Sequence, residues 1–349
     1  PMNEMTMAEP VLAPMTPAQM ERAVIYEANI RQYSPEGTFR AFTEDLPQLK
    51  ELGVTVIWLM PVYPISQTRR KATPELMVED IADPVEREKY LGSYYAISDY
   101  RAINPEFGTI EDFRELVRTA HELGMYVILD WVANHTGWDH VWIQQHPDYY
   151  SRNAAGEITD PLQDDGTPWG WSDVADLNYD NPQMREDMIQ SMLYWLKQEN
   201  IDGFRCDVAA TVPTWFWKEA IGRLRAEKDI FMLAEAWEPE LLEGELFDAG
   251  YGWDGHHLMN DIAKGHKSAH DWDGYMRDRF NKYGDDDFLM NFVDNHDENS
   301  WNGTVKERGG DGSEAFIALT YAMPGPGSYT HLRAHETRLP SSYAGDSVK

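Results

Sequence analysis

Short apolar runs alternate with helix-patterned segments along most of this chain, and that alternation leaves few folds open. Residues 54–60 read VTVIWLM, a continuous apolar run of the kind a parallel strand needs when both its faces are buried. Residues 23–30, 125–132, 203–207, 230–235 and 288–294 read as further strands. Helices with legible ends lie between them. Residues 42–52 have apolar positions at helical spacing and stop at Gly53. Residues 110–123 follow Thr109, a capping residue, place Glu111 and Asp112 on the positive N-terminus, and stop at Gly124. Residues 182–197 begin with Asn181 as cap and Pro182 at the first position. Residues 215–227 and 313–323 complete the helices. A repeated strand–helix unit predicts a parallel α/β sheet with right-handed crossovers. At 349 residues the chain is long enough for one large barrel with an inserted subdomain.

Three carboxylates end strand-like runs: Asp207 in GFRCDVA, Glu235 in IFMLAEAW and Asp297 in FLMNFVDNHD. In a parallel barrel the C-terminal strand ends converge on one face, where active sites sit. Acidic groups gathered there are costly unless they do chemistry or bind a cation. Two carboxyls flanking one scissile bond are what retaining glycoside hydrolysis requires. Arg205 lies two residues before Asp207, so on a strand the two share a face. An arginine so placed holds the carboxylate ionised and aimed, beyond making a plain ion pair. Two stretches interrupt the alternation, residues 61–91 and the polar, aromatic, turn-rich residues 137–178. Both follow predicted strands, and long loops inside a compact domain are usually functional.

Composition excludes several classes. The net charge of −30 argues against a nucleic-acid partner, which needs clustered Lys and Arg, and disfavours an anionic membrane. It reads as a solubility device suited to a salty medium. The single cysteine, Cys206, excludes an intramolecular disulfide and a multi-cysteine metal site. Its place in a strand beside Asp207 reads as a buried, inert thiol. No GKS or GKT loop is present, and HExxH spacing is absent. With 13 Trp and 18 Tyr, most aromatics go to the core, but flat rings also suit the apolar C–H faces of sugars. The longest strong apolar run, residues 54–62, is too short to span a membrane. The opening PMNEMTMAEPVLAPMTP has no basic region followed by an apolar core, so no signal peptide is expected in this chain. A cleaved one leaves no trace, and the compartment stays open. Residues 1–22 are expected to be a disordered N-terminal segment.

DWVANH, GFRCDVA, LAEAW and FVDNHD occur in that order at strand ends across residues 130–297. YEANIRQYSPEGTF, LGSYYAISDYRAINPEFGT and ADLNYDNPQMRE accompany them. Together, over residues 23–327, they resemble the signature regions of the α-amylase superfamily of retaining glycoside hydrolases. The resemblance implies a (β/α)8 TIM barrel, with residues 23–136 and 179–327 as catalytic barrel and residues 137–178 as a small inserted subdomain after strand 3. It implies Asp207 as nucleophile, Glu235 as general acid/base and Asp297 as the group that binds sugar hydroxyls and favours the distorted ring. The apolar run before Glu235 suits an acid whose pKa must rise towards neutrality. His135 and His296 match the histidines that bind hydroxyls of the sugar being cleaved, rather than structural hydrogen-bonders. Arg205 and Tyr95 join them in the substrate site, Tyr95 as the stacking ring, although Ala96 stands where the family has an aspartate. Asp130 is expected to support Arg205, and His256 and His257, which match no motif, read as surface or loop residues. Ala210 and Thr211 replace the Lys-His that many α-amylases carry. No cofactor is required; a structural calcium is possible, with Asn134 and carboxylates of residues 137–178 as candidate ligands.

The implied function is retaining hydrolysis of α-glucans or malto-oligosaccharides through a covalent glycosyl-aspartate intermediate. The alternatives are an α-glucan transglycosylase and a non-catalytic carbohydrate-binding protein on the same fold. The ADLNYDNP segment is closer to the branch that includes α-glucosidases, which leaves endo and exo action open. After TYAMPGPG the family continues with an eighth strand, whereas this chain reads SYTHLRAHETRLPSSYAGDSVK. That run lacks strand alternation and resembles translated sequencing-adaptor sequence. Residues 328–349 are therefore expected to be a non-native tail and the eighth strand to be missing, leaving the strands at residues 23–30 and 288–294 without the partner between them.

Overall fold

The apolar runs become the staves of a barrel. The computed structural model describes residues 11–330, in which eight parallel strands form one sheet. They are β1 (Val24–Ala28), β2 (Val56–Leu59), β3 (Tyr126–Trp131), β4 (Gly203–Cys206), β5 (Phe231–Ala234), β6 (Ala249–Tyr251), β7 (Phe288–Met290) and β8 (Gly327–Thr330). β1 to β7 pair in chain order, and β8 returns to pair with β1. The fold is a (β/α)8 barrel.

Strand periodicity of two sorts each stave into inner and outer residues. Ile25, Val56, Trp58, Ile128, Leu233, Tyr251 and Met290 form the interior cluster. Tyr26, Ile57, Leu59, Val127, Leu129 and Phe204 face the helices in a second, larger cluster with Phe113, Leu116, Met188 and Trp195. Thr109 caps Ile110–Glu122 in a capping box, and Asn181 caps Pro182–Lys197, which has Pro at its start. One crossover has no α-helix: β5 reaches β6 through the 3-10 turns Pro239–Leu241 and Glu243–Glu245. Among the described residues no helix is long and apolar enough to cross a membrane.

β8 differs from expectation. Its register with β1 runs from Val24 opposite Gly327 to Glu27 opposite Thr330. It meets β7 at one bridge, Asn291 opposite Gly327, where the Asn291 amide donates to the Pro326 carbonyl at 2.8 Å and the Ser328 amide to the Asn291 carbonyl at 2.9 Å. Parallel pairing uses backbone groups, which Gly327–Thr330 supplies without apolar alternation. The eighth place is thus filled by four residues, and the seam with β7 stays short. The rest of the expected tail, residues 331–349, lies outside the described residues.

The N-terminal segment also differs. Residues 1–10 lie outside the described residues, but residues 11–22 are ordered. Thr16 and Gln19 close a capping box on the helix Pro17–Glu21. Leu12, Met15 and Met20 pack on the interior cluster, and the Tyr126 hydroxyl donates to the Ala13 carbonyl at 2.7 Å. The Met- and Pro-rich composition that suggested disorder supplies the apolar groups that cover the strand beginnings.

The interruptions after β2 and β3 stand together. His135–Gly137 and Val174–Asp176 pair as antiparallel strands, and so do Lys71–Thr73 and Leu76–Met77. The Lys71 ammonium donates to the Gly170 carbonyl at 2.5 Å, and the Gln67 amide to Asp139 Oδ2 at 2.8 Å, tying one stretch to the other.

Candidate active site

The inner positions change character towards the strand ends. Ile25 gives way to Glu27 on β1, Val56 to Trp58 on β2, Ile128 to Asp130 on β3, and β4 contributes Arg205. One residue beyond β4 stands Asp207, and one beyond β5 stands Glu235. Asp297 lies in the first turn of the helix His296–Trp301 that follows β7. The three strand-end carboxylates expected from the sequence therefore share one face.

Arg205 is their centre, only 1% exposed. Its Nη1 donates to Asp130 Oδ1 and to Asp207 Oδ1, each at 2.9 Å, and its Nη2 lies 3.2 Å from Glu235 Oε2. Its Nε donates to the Tyr251 hydroxyl at 3.0 Å, and its plane lies over the Trp58 ring at 4.8 Å. A buried guanidinium is tolerable when its N–H groups find acceptors, and the planar fork lets one arginine hold several carboxylates. Asp130 plays the supporting part expected of it: its Oδ2 accepts from Trp58 Nε1 at 3.1 Å and from the Tyr95 hydroxyl at 2.8 Å.

The turn after β4 is strained. Val208 is β-branched, yet it has φ 36° and ψ 50°, a left-handed conformation. That conformation directs its amide to Glu235 Oε2, to which it donates at 2.8 Å. The residue next to Asp207 thus fixes Glu235.

The two motif histidines have opposite characters. His135 accepts at Nδ1 from Asn134 Nδ2 at 3.1 Å, and its ring meets Trp171 edge-on at 5.8 Å. Burial pushes its pKa down to about 4, against the pull of Asp207. His296 stacks on Tyr95 at 5.2 Å and meets Trp58 edge-on. Its Nδ1 contacts Glu27 Oε1, and its Nε2 lies 3.0 Å from the Tyr95 hydroxyl and 3.5 Å from Asp297 Oδ1. Burial alone would lower its pKa, but the carboxylates of Asp297 and Glu27 outweigh it and push the value up to about 10. Asp297 Oδ1 is buried without a hydrogen bond, and burial raises the pKa of that carboxyl against the pull of His296 and Arg205.

A catalytic-domain family matches over nearly the whole described chain: the alpha amylase catalytic domain, at residues 17–165 and 169–324. The chain belongs to the alpha-amylase family. Among solved structures of the family, an alpha-amylase from Lactobacillus plantarum superposes with a TM-score of 0.77 at 32% identity, covering 90% of this chain and 72% of that one. Alpha-amylase 3 of Dictyoglomus thermophilum is 28% identical over 253 residues, 65% of this chain and 46% of that protein. The alpha-1,4-glucan:maltose-1-phosphate maltosyltransferase of Arcanobacterium haemolyticum is 33% identical over 207 residues, 57% of this chain and 28% of that protein. The chain thus spans less than half the length of either curated relative.

Membership in the alpha-amylase family raises the question of calcium at Asn134. Its Oδ1 accepts from the Thr211 hydroxyl at 3.0 Å, and its carbonyl accepts from the Leu177 amide at 3.2 Å. Calcium takes six to eight oxygens. Among the described residues no group of three or more His, Cys, Asp or Glu is placed to hold a metal ion. Thr211 ties Asn134 to the turn after β4.

Several residues of this site were not singled out from the sequence. Glu27, Trp58 and Tyr251 are single inward positions on strands, and the signal for Glu27 was its place in YEANIRQYSPEGTF. His256, expected at the surface or in a loop, is buried on the helix Trp253–Ala263, stacks on Phe292 at 4.6 Å, and places Nε2 2.9 Å from Glu298 Oε2. The helix puts it on the inward side, whereas its neighbour His257 is exposed as expected.

Proposed function

We propose that this barrel is the catalytic domain of a retaining α-glycoside hydrolase that acts on α-linked glucans or malto-oligosaccharides. The carrying observation is that Asp207 and Glu235 are bound by the two Nη atoms of one guanidinium, Arg205. One guanidinium reaches two carboxyls only when they are a few ångströms apart. Retaining enzymes need a separation of about 5–5.5 Å, and inverting enzymes about 6.5–9.5 Å. In this reading Asp207 attacks the anomeric carbon while Glu235 gives its proton to the departing glycosidic oxygen. The glycosyl–Asp207 ester then yields to water, from which Glu235 takes a proton, and the anomeric configuration is retained. Asp297 and His296 hold hydroxyls of the cleaved sugar from one side and His135 from the other. Tyr95 and His296 form a stacked floor beneath it.

Transfer to a sugar hydroxyl instead of water is the second reading, favoured by the relative described as a maltosyltransferase. The ester intermediate is common to both. A binding protein without catalysis is disfavoured because all three carboxylates are present. Product analysis on starch, maltotriose, isomaltose, sucrose and trehalose separates these readings: transfer lengthens oligosaccharides, and hydrolysis shortens them. Asp207→Asn should lower kcat/KM at least about a thousandfold while the domain stays folded. Near-normal turnover in that variant, or a product released with inverted configuration, would reject the assignment.

A further inference from the structure

Glu27 was given no role among the candidate site residues, yet it is a carboxylate only 2% exposed on the inner face of β1. Its register neighbours are Trp58 of β2 and Thr330 of β8. A charge so placed is costly unless both oxygens are engaged. One contacts His296 Nδ1, and the other accepts the Thr330 hydroxyl.

We propose that Glu27 is a positioning residue that fixes the ring of His296 and keeps it doubly protonated, so that Nε2 always carries a hydrogen, shared between the Tyr95 oxygen and a hydroxyl of the bound sugar. The direction of each hydrogen bond follows from counting protons. The Tyr95 hydroxyl has one proton, and it donates that proton to Asp130 Oδ2 at 2.8 Å. Towards His296 Nε2, 3.0 Å away, the Tyr95 oxygen therefore accepts, and Nε2 carries a hydrogen. Nδ1 meets a carboxylate and donates to it. A neutral imidazole has only one N–H, so a ring that donates at both nitrogens is an imidazolium.

The surrounding charges favour the same state. Asp297 beyond β7, Glu27 of β1 and Asp130 of β3 act on the ring, Asp207 and Asp294 act on those carboxylates in turn, and Arg205 is the cation opposing it. Losing Glu27 removes the carboxylate in direct contact with Nδ1. The alternative arrangement puts the proton on Glu27 and leaves the ring neutral, and it predicts a different spectrum. The part of the inference that concerns sugar rests on the proposed function; the part that concerns protonation does not.

The test is the 15N spectrum of histidine-labelled free protein, with His296 assigned by the signal lost in His296→Gln. In the wild type both ring nitrogens should show the imidazolium signature from pH 6 to pH 8.5. In Glu27→Gln, whose amide oxygen can still accept from Nδ1, the ring should turn neutral within that range. On a small activated α-glucoside, kcat/KM of Glu27→Gln should be close to wild type at pH 5 and at least about tenfold lower at pH 8, the scale of one charge-assisted hydrogen bond. A neutral His296 in the wild type at pH 7 overturns the proposal, and that measurement suffices even where Glu27→Gln fails to fold. So does an imidazolium that persists in Glu27→Gln at pH 8.5. An intact imidazolium in a protein inactive on every α-glucoside would instead condemn the proposed function and leave the role of Glu27 standing.

Discussion

His135 and His296 belong to motifs of the same kind, yet their surroundings drive their titrations apart. His135 has burial without a contacting carboxylate, and its pKa falls to about 4. His296 is as deeply buried but contacts Glu27 and neighbours Asp297, and its pKa rises to about 10. The consequences for stability have opposite signs. Between its folded value and the ordinary value near 6.5, His135 lacks a proton that the unfolded chain binds, so its contribution falls as pH drops from about 6.5 towards about 4. His296 keeps a proton that the unfolded chain releases, so its contribution is complete below pH 6.5 and is lost as pH climbs through about 10. Urea midpoints measured against pH should show His296→Gln flattening the alkaline fall and His135→Gln flattening the acid one. An alkaline limb unchanged in His296→Gln would refute the charged state in the folded protein. The motif residues Asp207, Glu235, Asp297, Arg205, Tyr95 and His296 were legible as a group because short sequence patterns carried them. Tyr251 was not, and Glu27 lay in a quoted segment without a role, because what makes them part of the site is the partner across the barrel.

At the scale of elements, legibility followed the length of the apolar run. β2 and β5 are unbroken apolar stretches, β3 is interrupted only by Asp130, and all three were readable, whereas β6 is the three residues Ala249–Tyr251 in a Gly- and Asp-rich setting. Its neighbours hold it instead: the Asp248 amide donates to the Met232 carbonyl and the Tyr251 amide to the Ala236 carbonyl. β8 was unreadable for the same reason. Where β4 begins, Gly203 has φ 149°, and a Cβ there would stand 1.9 Å from the Phe231 carbonyl oxygen on β5. Neither strand backbone can yield without breaking the ladder that carries Arg205 and Asp207 in one direction and Glu235 in the other. Gly203→Ala should therefore cost about 3 kcal/mol or more, combining overpacking with backbone strain. Urea denaturation or partition into inclusion bodies would measure it. A variant within about 1 kcal/mol of wild type would mean that the strands approach less closely than described.

The whole molecule carries a net charge of −30. Self-repulsion of that size opposes the compact state and is long-ranged at low salt, with a Debye length of about 30 Å at 0.01 M against about 10 Å at 0.1 M. The melting temperature should rise by several degrees as sodium chloride goes from 0.01 M to 0.5 M. A flat or falling trend would show that the negative charges are already balanced locally. The barrel class was legible at this scale because βα alternation is global, but its two ends were not. Composition near residues 11–22 suggested disorder, and only the exposed interior beside Tyr126 explains why those residues settle.

The seam between β1 and β8 orders events in time as well as space. Glu27 and Thr330 stand 303 residues apart in the chain, and their contact is part of the pairing that joins the sheet's first stave to its last. At about 5–20 residues per second, roughly 15 to 60 s of synthesis separate them. Until β8 is made the sheet cannot close, and the edge of β1 that β8 covers has no partner. The carboxylate that contacts His296 is made 303 residues before its partner Thr330 on β8.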